Sequence, residues 1–270
     1  TNAARQSGDK NAVTAMRWVL VRRGLTLLLA GLVFEWIWAG TILPYFGTYF
    51  LLAAVVFAWR PRWIIVISVA VMSGAAALSW WRYERAVGGH STAWLSPRWT
   101  VTPRDLVFRL FVDYTHPVLP WFAYFCAGLL IGRAWKAFAE RRRLVLAICL
   151  AVAVVAFTVS ALALHLSDGL AQHLLSTDPF RRGILATVGY TAIGVGFVAL
   201  VTTIVDRSTS ARWVGVAQRV GASTLTMYVL HAFAYNLVVD WWGWIEPTGF
   251  DVAGLFGLIV WGVLVVAAAG

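Results

Sequence analysis

Long apolar runs, broken by short clusters of arginine, proline and glycine, set the rhythm of this chain. Eight stretches stand out, at about 18–38, 43–59, 63–81, 117–135, 144–165, 182–205, 220–239 and 252–269. Each approaches or exceeds the roughly 18 apolar residues that cross a hydrocarbon core about 30 Å thick. Apolar and polar positions do not alternate within them, which argues against a membrane β-barrel. The pattern predicts an all-α fold: a polytopic transmembrane helical bundle of about eight visible spans, in one transmembrane domain over 1–270.

Local signals sharpen several boundaries. Pro44 falls where a helix start tolerates proline, because the missing N–H would be unpaired there anyway. Trp36 and Trp38 close the first run at the depth that amphipathic indoles favour. The longest polar interruption, 82–116, contains "GGHSTAWLSPRWT", which reads as loop, and then "PRDLVFRLFVDY". In the latter, helical spacing puts Leu106, Val107, Leu110 and Phe111 on one face and Arg104, Asp105 and Arg109 elsewhere. That suits either a short helix in the membrane interface or a surface helix of an outer lid.

Charge orients the spans. With the N-terminus inside, the outer segments hold Arg82, Arg85, Arg98, Arg104, Arg109, Arg181 and Arg182. The other 15 of the 22 basic residues, Arg5 among them, fall inside, while the acids lean outward. The positive-inside rule therefore predicts a multi-pass inner-membrane protein with a cytoplasmic N-terminus and an extracytoplasmic segment at 82–116. The net charge of +10 reads as a topology signal and a contact with anionic membrane lipids, not as nucleic-acid binding. Sixty per cent apolar and 13% charged residues agree with the membrane class. Cys126 and Cys149 both lie inside apolar runs without ligand spacing, so no metal site is expected. The chain opens without Met and closes inside an apolar run, which suggests a portion of a 10–11 helix protein.

Three places hold polar side chains where the pattern disfavours them. Asp113 and His116 precede the fourth run with Pro117 and Pro120. They read either as a helix-start acid with an interfacial histidine or as working groups. Arg181 and Arg182 break the positive-inside trend at an outer helix start. Guanidinium pairs suit phosphate or carboxylate ligands, and pairing with Asp178 or with lipid headgroups is the other reading. In "GASTLTMYVLH", His231 lies ten residues beyond Gly221, roughly 15 Å along a helix. Thr224, Tyr228 and His231 can share a face that Asn236 extends. Such a stripe lines a cavity or links helices by hydrogen bonds.

Taken in order, "RRGLTLLLAGLVFE", "ILPYFGTYFLLAAVV", "HPVLPWFAYFCAGLLIGR" and "GASTLTMYVLH" resemble a known group. It is the heparan-α-glucosaminide N-acetyltransferase-like group of the transmembrane acyltransferase superfamily, with the bacterial DUF418 and DUF1624 membrane proteins as close cousins. The resemblance implies transfer of an acyl group, usually acetyl from cytoplasmic acetyl-CoA, to a glycan or glycolipid on the far side. Under it, Arg22, Arg23 and Arg133 are candidates to hold the CoA phosphates. Asp113, His116 and His231 are the catalytic candidates, and Tyr228, Asn236, Arg181 and Arg182 those for the acceptor. The group's catalytic histidine lies N-terminal to the first hairpin, and nothing here matches it. The alternative is a non-enzymatic membrane subunit or scaffold of an envelope-transport complex, with loops 82–116 and 166–181 large enough to contact a protein partner. A transporter ranks third, because no internal repeat is evident.

Overall fold

The computed structural model describes residues 9–38, 40–166, 168–207, 211–245 and 252–269. Arg5, counted above with the inner basic residues, lies outside them. The described residues form twelve α-helices and no strand. In chain order these are α1 Lys10–Phe34, α2 Leu43–Val56, α3 Pro61–Val87, α4 Pro103–Val107, α5 Val118–Arg133 and α6 Trp135–Glu140. They continue with α7 Arg142–Ala163, α8 Gly169–Leu174, α9 Ile184–Arg207, α10 Ala211–Ala222, α11 Thr224–Tyr235 and α12 Val252–Ala269. Three of them, α3, α7 and α9, are long and apolar enough to cross a membrane. The pair α10 and α11, bent by 61° around Ser223, makes a fourth when counted as one broken span. Outward faces of the long helices stay apolar, with Ile65, Leu150, Leu162 and Phe197 all exposed. A water-facing surface would not carry so much contiguous hydrocarbon.

Two compact units make up the chain. The larger takes Thr1–Leu32 and Ile42–Thr203, the smaller Val33–Thr41 and Ile204–Gly270. In the larger unit, α1 and α2 pack with their backbones almost touching. A Cβ placed on Gly47 would lie 2.5 Å from the Leu28 amide nitrogen and 2.7 Å from the Gly24 carbonyl oxygen. Only glycine permits that approach, as at other small-residue helix crossings. Around this hairpin Tyr45, Tyr49, Val56, Ile64, Leu110, Val118, Phe122 and Cys126 form a core drawn from α2, α3, α5 and the segment after α4. Leu20, Ala53, Ala54 and Phe57 make a second cluster between α1 and α2. As Pro44 predicts, proline occupies the first turn of α2, and Pro61 does the same in α3.

One sequence expectation is corrected in the 103–112 segment. Thr102 and Asp105 close a reciprocal cap on α4: the Asp105 N–H donates to Thr102 Oγ1 at 3.2 Å, and the Thr102 N–H donates to the Asp105 carboxylate at 2.8 Å. Residues Phe108–Val112 then continue as a π turn, with the Asp113 N–H reaching the Phe108 carbonyl five residues back. Five-residue spacing rotates the side chains away from the faces that a 3.6 period assigns. Phe111 therefore faces outward, as does Val107 at the end of α4, and Arg109, expected on the polar side, is buried with 1% of its surface exposed. Its guanidinium donates to Thr100 Oγ1 at 2.9 Å and lies 4.5 Å above the Tyr114 ring.

In the smaller unit, α11 packs against α12, where the rings of His231 and Trp261 lie 4.9 Å apart. Arg219 donates to the Ala269 carbonyl at 2.6 Å, a cation on the carboxyl end of α12. Asn236–Trp241 extends α11 as a second π turn.

Candidate functional site

Helix α3 runs to Val87, past the end expected at residue 81, so Arg82 projects from a helix rather than a loop. Ser79, Arg82, Tyr83 and Ala86 recur at three- and four-residue spacing and share one face. They form one wall of a cavity of about 550 Å³. Thr92 and Ser96, either side of the short turn Ala93–Leu95, contribute a second wall. Asp113, Tyr114, His173 on α8 and the Phe180–Arg182 loop complete it.

Asp113 sits at the centre of the polar network. Arg82, Arg182 and the Ser96 hydroxyl all donate to its carboxylate, which is buried. Arg182 also donates to the carbonyls of Val112 and Tyr114, so one guanidinium grips three consecutive residues. It reaches them from a left-handed backbone at φ 58°. That region is uncommon for a bulky residue and costs about 1–3 kcal/mol, which surrounding contacts must offset. The helix-start reading of Asp113 does not hold. Helix α5 begins at Val118 with Pro117 as its cap, and the Asp113 side chain turns to the arginines instead.

Arg181 and Arg182 part company. Arg181 is half exposed and makes a loose pair with Asp178 at 3.6 Å, as one of the sequence readings has it. Such a surface pair contributes little and leaves the charge open to a ligand. Behind Arg181, the Ser79 hydroxyl donates to the Arg181 carbonyl, which uses its single proton. The His173 Nε2, 2.9 Å from Ser79 Oγ, must then carry the hydrogen of that contact, leaving Nδ1 bare. Burial, followed by the Arg181 charge, holds His173 below the ordinary histidine value of 6.5. The sequence pattern singles out neither Ser79, inside an apolar run, nor His173, within the 166–181 loop.

His116, from the same segment, lines a second cavity, of about 400 Å³, with aromatic walls. Tyr45, Tyr49, Trp121, Tyr124 and Phe125 surround His116 there. The His116 and Trp121 rings are 4.5 Å apart, and the Tyr49 hydroxyl donates to the His116 carbonyl. Among the described residues, His116 Nδ1, Trp121 Nε1 and Thr115 Oγ1 are buried without hydrogen-bond partners. Burial first, then the nearby Arg182 charge, lowers the His116 pKa and keeps the imidazole neutral. A neutral ring with an unshared nitrogen can accept a proton from a hydroxyl or amine brought within reach.

The remaining candidates lie elsewhere. His231, in the smaller unit, is packed among the rings of Trp38, Tyr228 and Trp261 at 5.4, 6.2 and 4.9 Å. Its Nδ1 contacts the Tyr228 carbonyl of its own helix at 3.2 Å. Tyr228 stacks on Trp38 and makes a long hydroxyl contact of 3.4 Å with Thr41 Oγ1. Asn236 is buried and donates to the Ala232 carbonyl one turn back at 2.9 Å. These groups form an aromatic and hydrogen-bonded set within one unit. At the opposite end of α5, Arg133 donates to the carbonyls of Trp59, at 2.6 Å, and Phe57. It thereby caps the carboxyl end of α2, while Arg22 and Arg23 are exposed on α1. Comparison of the chain with protein-family models, curated proteins and solved structures returns no match to any of the three.

Proposed function

We propose that this chain is a multi-pass membrane acyltransferase that delivers an acyl group, acetyl above all, from cytoplasmic acyl-CoA to a hydroxyl or amine of an extracytoplasmic glycan or glycolipid. The three membrane-length helices and the bent pair supply four of its eight spans. The shorter apolar helices Leu43–Val56, Val118–Arg133 and Gly254–Ala269 supply three more, and α1 the eighth. The charge asymmetry puts the 113–116 segment on the outer side and Arg22, Arg23 and Arg133 on the inner.

One observation carries the reading. The 113–116 segment contributes Asp113 and Tyr114 to a cationic cavity and His116 to an aromatic one, and the His116 Nδ1 is buried without a hydrogen-bond partner. In the reaction, the acceptor oxygen or nitrogen bonds to the thioester carbonyl carbon as His116 takes the acceptor proton. The carbon–sulfur bond then breaks, and the CoA thiolate leaves and takes up the proton that His116 accepted. Arg22 and Arg23 are exposed and suit the CoA phosphates, whereas Arg133 already serves the α2 carbonyls. Asp113 acts as a positioning residue, since its carboxylate is held by two guanidinium groups and its backbone fixes the approach to His116.

The test is transfer of radiolabel from acetyl-CoA, added to the cytoplasmic face of vesicles holding the full-length protein, onto envelope glycans or lipids. Label on a sugar supports the proposal. A folded protein that transfers none with any such extract supports the scaffold alternative.

A further inference from the structure

The cationic cavity has an apolar neighbour. A groove of about 520 Å³ runs between α5 and α9, with Trp121, Gly128 and Ile131 on one wall and Gly194 and Val198 on the other. None of its lining residues is charged. From Trp121 to Ile131 a helix rises roughly 15 Å, about half of a 30 Å hydrocarbon core and so the depth of one leaflet. Pro179 also lines it, and the next three residues, Phe180, Arg181 and Arg182, line the cationic cavity. A single loop thus joins an apolar slot to a basin lined by three arginines and one carboxylate. The basin is also short of a partner: Arg182, only 6% exposed, keeps its Nε buried without a hydrogen-bond acceptor.

We propose that the larger unit binds an anionic membrane lipid, with its phosphate on Arg82, Arg181 and Arg182 and one acyl chain in the groove between α5 and α9. Charge complementarity and the shared loop argue for one amphiphile over two separate ligands. A soluble phosphate compound leaves the groove empty, and a lipid without a phosphate, such as a diacylglycerol, leaves Arg181 and the Arg182 Nε unanswered. The inference rests on the membrane setting of these helices and not on acyl transfer. A lipid here is therefore a further property of the protein, whatever reaction it performs.

The groove also provides its own control. A Cβ on Gly128 or Gly194 meets nothing within 4 Å, so a side chain there starts into the slot without striking the protein. The full-length protein is reconstituted with phosphatidylglycerol carrying a photoactivatable group in one acyl chain, and separately with a diacylglycerol carrying the same chain. The expected result is labelling of residues 121–131 and 190–198 at least about tenfold stronger with phosphatidylglycerol. Gly194→Leu and Gly128→Leu should each abolish that labelling while melting no lower than the parent. Arg181→Gln should reduce phosphatidylglycerol labelling toward the diacylglycerol level. Equal labelling by the two lipids, or labelling unchanged in both leucine variants, overturns the proposal. So does glycerol 3-phosphate binding that equals lipid binding and is indifferent to Gly194→Leu, which would assign the basin to a soluble phosphate. No turnover enters the experiment, so its failure and a failure of the acyltransferase reading are told apart.

Discussion

Arg182 closes on the buried carboxylate of Asp113 while also holding the carbonyls of Val112 and Tyr114 on either side of it. The ion pair is therefore a clasp on backbone as well as on charge. It fixes the segment that leads from the cationic cavity to His116.

Removing one member of a buried pair leaves the other charge uncompensated and costs roughly 3–5 kcal/mol. Arg182→Gln is expected to fall in that range by denaturant titration in detergent. Arg82→Gln should cost clearly less, because the Arg82 side chain is 31% exposed against 7% for Arg182. Adding Asp113→Asn to Arg182→Gln should recover part of the loss, as expected for coupled neighbours. Equal and additive losses would show that the clasp is not a unit.

His173 offers a pH readout. Burial and the Arg181 charge lower its pKa from 6.5. The folded protein therefore binds fewer protons there than the unfolded chain does. Stability from this group is complete above pH 6.5 and declines as the pH falls below it. Nuclear magnetic resonance of labelled histidine should give a His173 midpoint below 6.5, and Arg181→Gln should raise it. A midpoint at or above 6.5 in the parent would contradict the buried, cation-flanked setting.

Two glycines separate close packing from open space. Gly47→Ala drives a methyl group into the Leu28 amide and the Gly24 carbonyl, both backbone atoms with little freedom to move. A destabilisation of roughly 1–3 kcal/mol is expected. Gly128→Ala meets nothing within 4 Å and should gain up to about 1 kcal/mol from helix propensity. Thermal melts of the two variants should therefore shift in opposite directions.

His231 should behave as an aromatic packing element. Its described hydrogen-bond contact is to the carbonyl of its own preceding turn, and its neighbours are rings. A ring of similar volume without that nitrogen, His231→Phe, is expected to cost under about 1.5 kcal/mol. His231→Ala leaves a gap beside Trp38 and Trp261 and should cost more. A large loss in His231→Phe would point to a polar partner.

Much of the fold was legible as apolar runs, because helix-length hydrophobic segments leave a local trace. The Pro44 helix start and the unusual standing of Asp113, Arg181 and Arg182 were legible on the same grounds. What joins Asp113 to Arg182 was not, since a pair so distant in sequence has no periodic signature. Arg82 read only as an outer topology charge until α3 proved long enough to carry it into the cavity. Arg109 misled for a local reason: the π turn at Phe108–Val112 shifts the face that ordinary helical spacing assigns. Ser79, a small polar residue inside an apolar run, gave no signal apart from its polarity. Its meaning comes from His173, on a different helix.

The central claim is that His116 accepts the acceptor's proton. The most direct measurement is acetyl transfer by purified, folded His116→Ala and His231→Phe proteins in the same vesicles as the parent. Loss of a positioned general base costs roughly 10²–10⁴ in rate. The account predicts a fall of that size for His116→Ala, with His231→Phe near the parental rate. Parental turnover in His116→Ala would contradict it.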